Sequence, residues 1–396
     1  MLSLALLAAV ALRTVAADVP AGVIAVPLTR NYELTAYFAE VLVGTPPQKM
    51  RLLVDTGSPF YSFLDPRNPV CVRQDCKTFG TFDNTTSLTC QDQGPGFNDA
   101  LIVLGNGNFL SDTIVLGGVT AEKLNFGYTS QYVKPGYVLG NVTTILGLSM
   151  DCQFGGSSCT GSKAVLLPGL KNASLINAMS TSIYLGPDNA NVSNAQLLIG
   201  GAYDKAKVDG ELFTLDMVNP HDLKLANGQT NTVNVTAIEV VLDGGVRTTQ
   251  TYGVKDVGSP VLLDTGIASW YMPKTIFDAV FKGLGGQGDV TPGMQLFVTD
   301  CIYRDPNHSK SYIAVSFGSA GTITIPLSSL VSQFPDGTCG SFIGPRGDVV
   351  STMGDPFLRN VYFILDQENF TVTFGQVKHT DDEDIVPIPT GGFKVV

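Results

Sequence analysis

The sequence predicts an all-β protein built as two related lobes, with only a few short helices. Three observations carry this reading: a length beyond one core, short apolar segments broken by turn residues, and an internal repeat. At 396 residues the chain exceeds what a single hydrophobic core usually serves, so two domains are expected.

The strands come first. Short runs rich in Val, Ile, Leu, Thr and Phe alternate with Gly, Pro, Asn and Asp along the whole chain, as in Leu101-Ile102-Val103-Leu104-Gly105-Asn106-Gly107-Asn108. That alternation is the mark of strands joined by hairpins. Apolar residues recur at three and four only in limited stretches, which predicts short helices over 172–180, 273–284 and 328–334.

The repeat comes next. Leu52-Leu53-Val54-Asp55-Thr56-Gly57 is echoed by Val261-Leu262-Leu263-Asp264-Thr265-Gly266. Each copy has a matched downstream partner, Ile145-Leu146-Gly147 and Thr352-Met353-Gly354, whose glycines lie 92 residues after Asp55 and 90 after Asp264. Unrelated tripeptides have no reason to keep such partners. The repeat implies two lobes, 18–205 carrying Asp55 and 206–396 carrying Asp264, each bringing one aspartate to a shared interface.

The N-terminus sets the compartment. An apolar stretch over 2–12, too short to span a bilayer, leads to small residues at Val15-Ala16-Ala17, the pattern of a secretory signal over 1–17. Secretion accords with seven Asn-x-Ser/Thr sequons, at Asn84, Asn141, Asn172, Asn191, Asn234, Asn307 and Asn369, which are glycosylation candidates. The seven cysteines are spaced for disulfides rather than for zinc, and their odd number leaves at least one thiol unpaired or paired between chains. The C-terminus lacks the long apolar tail of a lipid-anchor signal, so a soluble extracellular monomer without a membrane anchor is expected. With Lys+Arg 24 against Asp+Glu 35, the acidic balance argues against nucleic acid or an anionic membrane as partner.

An apolar strand that delivers Asp-Thr-Gly places a short carboxylate at the end of a buried segment. Glycine permits close backbone approach, and threonine brings a hydroxyl and an amide to hold a neighbouring chain. One copy is compatible with an ordinary Asx turn. Two copies in symmetric surroundings are a different matter.

With these residues in view, the chain resembles the pepsin family of aspartic proteases. Tyr37-Phe38-Ala39-Glu40-Val41-Leu42-Val43-Gly44-Thr45-Pro46-Pro47-Gln48 is similar to the strand and turn that precede the first catalytic loop there. Thr144-Ile145-Leu146-Gly147-Leu148 and Gly354-Asp355-Pro356-Phe357-Leu358-Arg359-Asn360-Val361-Tyr362 resemble the segments behind the two aspartates, and Leu198-Ile199-Gly200-Gly201-Ala202-Tyr203-Asp204 resembles the join between lobes. The likeness runs from about residue 32 to about residue 375.

The resemblance implies the bilobal pepsin-like acid protease fold and a secreted endopeptidase acting on peptide or protein substrates, with no cofactor and no metal. Asp55 and Asp264 would be catalytic, because two carboxylates in one site cannot both ionise cheaply; aspartic proteases are the type case of such a pair. One carboxylate takes a proton from water while the other donates to the scissile carbonyl. Thr56 and Thr265, with Gly57 and Gly266, would tie the two loops together, and Ser58 would support Asp55 from its outer side. Cys301 and Cys339 match the second-lobe disulfide. Cys71 with Cys76 or Cys90, and Cys152 with Cys159, are candidate first-lobe bridges. His221, His308 and His379, in polar loop-like sequence, read as surface residues rather than a triad or metal ligands.

Four features depart from the family pattern. Ile267, followed by Ala268, stands where a hydroxyl usually follows the second Asp-Thr-Gly. The flap hairpin over 101–113 has no tyrosine and offers Leu104, Gly105 and Phe109 to the substrate cleft. Ser62 stands near the place of the tryptophan that usually backs the tyrosine, and few residues separate the expected signal cleavage from the first family-like strand, too few for the usual propeptide. These departures support an alternative expectation, a catalytically impaired homologue acting as a binding or inhibitor-like module. A glycosidase with paired carboxylates needs no such symmetry and ranks below both.

Overall fold

A computed structural model describes residues 19–31, 35–72, 75–99, 105–131, 144–150, 163–188, 194–218, 231–252, 260–286, 296–345 and 352–395. The signal segment 1–17, Leu104, Cys152, Cys159, Asn141, Asn191 and His221 lie outside them.

The chain has the all-β bilobal pepsin-like fold, with strands throughout and few short helices. Strand Gln48–Asp55 shows how the pattern builds the core: Met50, Leu52 and Val54 point inward while Lys49, Arg51 and Leu53 alternate with them. Ile24, Val26 and Leu28 do the same on Ile24–Asn31. Each such fully buried side chain contributes about 1.5–3 kcal/mol against the entropy of ordering the chain.

The two halves meet in one antiparallel sheet. Its strands run in the order Val208–Asp216, Thr371–Val377, Val361–Asp366, Ser180–Tyr184, Gln196–Ile199 and Ile24–Asn31. Strand Val361–Asp366 sets Phe363 opposite Ile183 and Leu365 opposite Thr181, so the hydrogen-bond ladder itself joins early and late segments. Strand Ile24–Asn31 serves two ladders: Ile24 to Pro27 pair with Gln196–Ile199, and Leu28 to Asn31 pair with Ala36–Val43.

A buried ionic cluster reinforces the join. Arg30 pairs with Asp188 and, at 3.3 Å, with Asp355. Tyr37 Oη donates to Asp355 Oδ1 at 2.8 Å. Arg359 Nη1 lies 3.1 Å from Asp188 Oδ2, and its Nε 3.6 Å from Asp355 Oδ2.

Two of the three expected helices differ from the sequence reading. The helix Lys274–Gly283 forms as its periodicity predicts, burying Ile276, Phe277 and Val280 and pairing Lys274 with Asp278 on the wet face. The first helix instead occupies Leu166–Asn172, ahead of the expected 172–180. Pro168 sits in its first turn, where a missing N–H costs nothing, and Ser174 at φ 57 stops it. Near 328–334 only a single tight turn forms, Leu327–Leu330, before the chain extends as strand Val331–Gln333 against Cys339–Ser341. Pairing with a neighbouring strand there overrides the local helical spacing.

The structure bridges Cys71 to Cys76 and Cys301 to Cys339, and leaves Cys90 unbridged and half-buried. Among the described residues, no helix is long and apolar enough to cross a membrane. Asn172, Asn234, Asn307 and Asn369 are exposed. Asn84 is half-buried, and its Oδ1 accepts from Arg67 at 2.7 Å and Tyr128 at 3.1 Å.

Candidate active site

The repeated tripeptides end strands built alike. Gln48–Asp55 runs parallel to Ile145–Gly147, with Leu53, Val54 and Asp55 opposite Ile145, Leu146 and Gly147. Pro260–Leu263 runs parallel to Thr352–Met353, with Leu262 and Leu263 opposite Thr352 and Met353. The partners spaced 92 and 90 residues downstream are therefore the ladder neighbours of the two loops.

The two loops face each other. A Cβ built on Gly57 would lie 2.5 Å from Asp264 Cγ, and one on Gly266 would lie 2.6 Å from Asp55 Cγ. Glycine is required at both positions because each carboxyl occupies the space a side chain would take. The threonines cross-link the loops: Thr56 N donates to Thr265 Oγ1 at 3.1 Å and Thr265 N to Thr56 Oγ1 at 3.0 Å. Each hydroxyl then donates to the opposite strand, Thr56 to Leu263 O at 2.7 Å and Thr265 to Val54 O at 2.8 Å.

The carboxyls are held unequally. Asp55 Oδ1 accepts from Gly57 N at 2.8 Å and Oδ2 from Ser58 Oγ at 2.7 Å. Asp264 Oδ1 accepts from Gly266 N at 2.8 Å. Its outer side lacks the counterpart of Ser58, because Ile267 takes that place. Ile267 stands three residues after Asp264, as Ser58 stands three after Asp55.

Burial raises the Asp55 pKa, while Ser58, Gly57 and a hydrogen bond from Asp264 pull it back. Burial raises Asp264 further, and the Asp55 charge and the bond to Asp55 add to this, holding it well above the usual carboxylate range. Both carboxyls are thus raised by burial, Asp264 the more strongly because the Asp55 charge adds to it, and the two titrate as a coupled pair.

The hairpin of Gln91–Asp99 and Gly105–Leu116 carries Gly105 and Phe109. Phe109 is half-buried, with its ring edge-on to Phe97 at 5.5 Å and Lys163 Nζ 5.9 Å above it. Phe97 also contacts Phe60, five residues after Asp55. Ser62 is buried in strand Ser62–Leu64. His308 and His379 are exposed, and His379 Nδ1 pairs with Tyr184 Oη at 3.2 Å.

Sequence reasoning missed Asn231 and Gln367. Asn231, fully buried, donates to Thr56 O at 2.7 Å, and Gln367 Nε2 donates to Leu148 O at 2.8 Å. A lone amide in a polar stretch carries no periodic signal. Only long-range folding reveals it.

Comparison with known proteins gives a consistent picture. Residues 36–377 match the family model described as eukaryotic aspartyl protease. The aspartic proteinase yapsin-3 of Saccharomyces cerevisiae is 28% identical over 371 residues, covering 90% of this chain and 69% of that protein. An acid protease of Saccharomycopsis fibuligera is 30% identical over 362 residues, covering 89% and 84%. Secreted aspartic protease 1 of Candida albicans is 27% identical over 383 residues, covering 92% and 87%.

Proposed function

The chain belongs to the eukaryotic aspartyl protease family and is an aspartic endopeptidase acting on peptide substrates, and from that premise we propose that Asp55 and Asp264 are its catalytic pair. The observation that carries this reading is their facing placement, each carboxyl in the space left by the other loop's glycine. Asp55, ionised and held by Ser58 and Gly57, takes a proton from a water lodged between the carboxyls. Asp264 gives its proton to the scissile carbonyl oxygen, and the water oxygen adds to the carbonyl carbon to form a tetrahedral diol. Collapse of the diol breaks the C–N bond as Asp55 passes its proton to the leaving nitrogen and Asp264 regains one from a diol hydroxyl. No covalent intermediate is needed.

The remaining assignments belong to the same reading. Lobes 18–205 and 206–396 each supply one aspartate, and the hairpin with Gly105 and Phe109 covers the cleft, with Leu104 next to it in sequence as a further cleft candidate. Its apolar sequence Leu101-Ile102-Val103-Leu104 suits extended peptides with bulky apolar side chains at the cleaved bond. The signal pattern over 1–17 and the secreted relative from Candida albicans support an extracellular, glycosylated monomer.

The test is digestion of an unfolded protein at acidic pH. Asp55→Asn and Asp264→Asn should each lower kcat/KM by at least about 10³-fold while leaving the circular dichroism spectrum intact. A statine-type transition-state analogue should bind wild type and fail to bind Asp264→Asn. Two variants digesting at the wild-type rate would overturn the assignment.

A further inference from the structure

Two buried carboxamides of the second half reach across to the backbone that carries Asp55. Asn231, fully buried, donates from Nδ2 to Thr56 O at 2.7 Å across 175 positions of sequence. Gln367, 3% exposed, donates from Nε2 to Leu148 O at 2.8 Å across 219 positions. Thr56 follows Asp55 in the chain, and Leu148 N donates to Asp55 O at 2.8 Å. The main chain around the first aspartate is therefore met at two points by side chains from the half that supplies Asp264.

Each amide is itself fixed by its own main chain. Asn231 precedes strand Thr232–Asn234, which pairs with Pro260–Leu263, and its carbonyl accepts from Leu263 N at 2.9 Å. Leu263 is the residue before Asp264. Asn231 thus holds Thr56 with its side chain and the strand behind Asp264 with its backbone. Gln367 follows strand Val361–Asp366, and its N–H donates to Met179 O at 2.9 Å.

On the reading that Asp55 and Asp264 are the catalytic pair, we propose that Asn231 and Gln367 are positioning residues of the peptidase reaction, a grip from the second half that sets Asp55 against Asp264. Each acts through the backbone that carries Asp55. A carboxamide keeps its N–H donors as the medium is acidified, whereas an ionic tie such as Arg30 to Asp188 weakens once its carboxylate takes a proton. The grip therefore stays closed at the acidic pH where the pair works. A buried carbonyl that loses its donor is left unmet and must shift to regain a partner. A displacement of about 1 Å at a reacting group costs up to about a hundredfold in rate.

The experiment measures kcat and KM of the full chain on an apolar peptide across the acidic range, with circular dichroism as the check on folding. Asn231→Leu keeps the size of the side chain and removes the donor; it should lower kcat about 10- to 100-fold with KM within about twofold of wild type. Gln367→Met should lower kcat in the same manner by a smaller factor, and it keeps the test open should Asn231→Leu fold poorly. Asn231→Asp separates positioning from packing. At the acid end the introduced carboxyl is protonated, can donate to Thr56 O, and should restore most of the kcat lost in Asn231→Leu. Wild-type kcat in both Asn231→Leu and Gln367→Met, with Asp55→Asn inactive, would overturn the grip and leave the catalytic pair standing. An Asn231→Asp variant no faster than Asn231→Leu at the acid end would do the same. An active Asp55→Asn would instead overturn the pair on which the grip depends.

Discussion

Thr56 and Thr265 exchange hydrogen bonds across the centre of the molecule, the backbone N–H of each donating to the hydroxyl of the other at 3.1 and 3.0 Å. Both side chains are buried, and both hydroxyls are donors in turn. Replacing either hydroxyl by a methyl, as in Thr56→Val, strands an N–H and a carbonyl away from water. The expected loss is about 1–3 kcal/mol per stranded group in urea unfolding, together with a lower kcat at unchanged KM. A variant as stable and active as wild type would show the exchange to be dispensable.

The unequal support of the two carboxyls predicts opposite shifts at the two ends of the pH–activity profile. Activity needs Asp55 ionised and Asp264 protonated, so it lies between their titrations. Ser58→Ala removes a bond that lowers the Asp55 pKa, so the acid limb should move to higher pH. Ile267→Ser supplies the outer hydroxyl that Asp264 lacks, so the alkaline limb should move to lower pH. The profile of kcat/KM for each variant checks both directions.

Asp188 ties acid stability to the join. Burial works to raise its pKa, but the Arg359 and Arg30 guanidiniums outweigh burial and hold it below the ordinary carboxylate value. A folded value below the unfolded one, about 3.9, gives stability that is complete above it and is lost as pH falls through the folded value. Asp188→Asn should therefore cost about 3–5 kcal/mol near neutrality. The gap between variant and wild type should close as the medium is acidified below the unfolded value, read by urea unfolding across pH.

The two bridges should differ in worth. Cys301–Cys339 closes 38 residues of separation, and Cys71–Cys76 only 5. The longer loop restrains the unfolded chain more, so the double alanine variant at 301 and 339 should lose about 2–4 kcal/mol and the variant at 71 and 76 less. Denaturant midpoints order them.

Cys90 should be a quiet thiol. Burial, followed by the Asp112 and Asp92 charges, pushes it up to about 11. Iodoacetamide should label it in the native protein about a hundredfold more slowly than an unperturbed thiol, as read by peptide mass mapping.

By itself the sequence determined the all-β plan, the doubling of the lobe and the identity of the paired loops, because each is written in local alternation or in a repeat that survives without coordinates. The matched spacing of Gly147 and Gly354 picked out the segments that pair beside the two loops, Ile145–Gly147 along Asp55 and Thr352–Met353 along Leu262 and Leu263. Tertiary structure decided what depends on distant chain segments meeting: the grip of Asn231 on Thr56, the bond from Gln367 to Leu148, and the cluster of Arg30, Asp188, Asp355 and Arg359. Those contacts join residues up to hundreds of positions apart. Their energy arises from burial and charge that no local window of sequence contains.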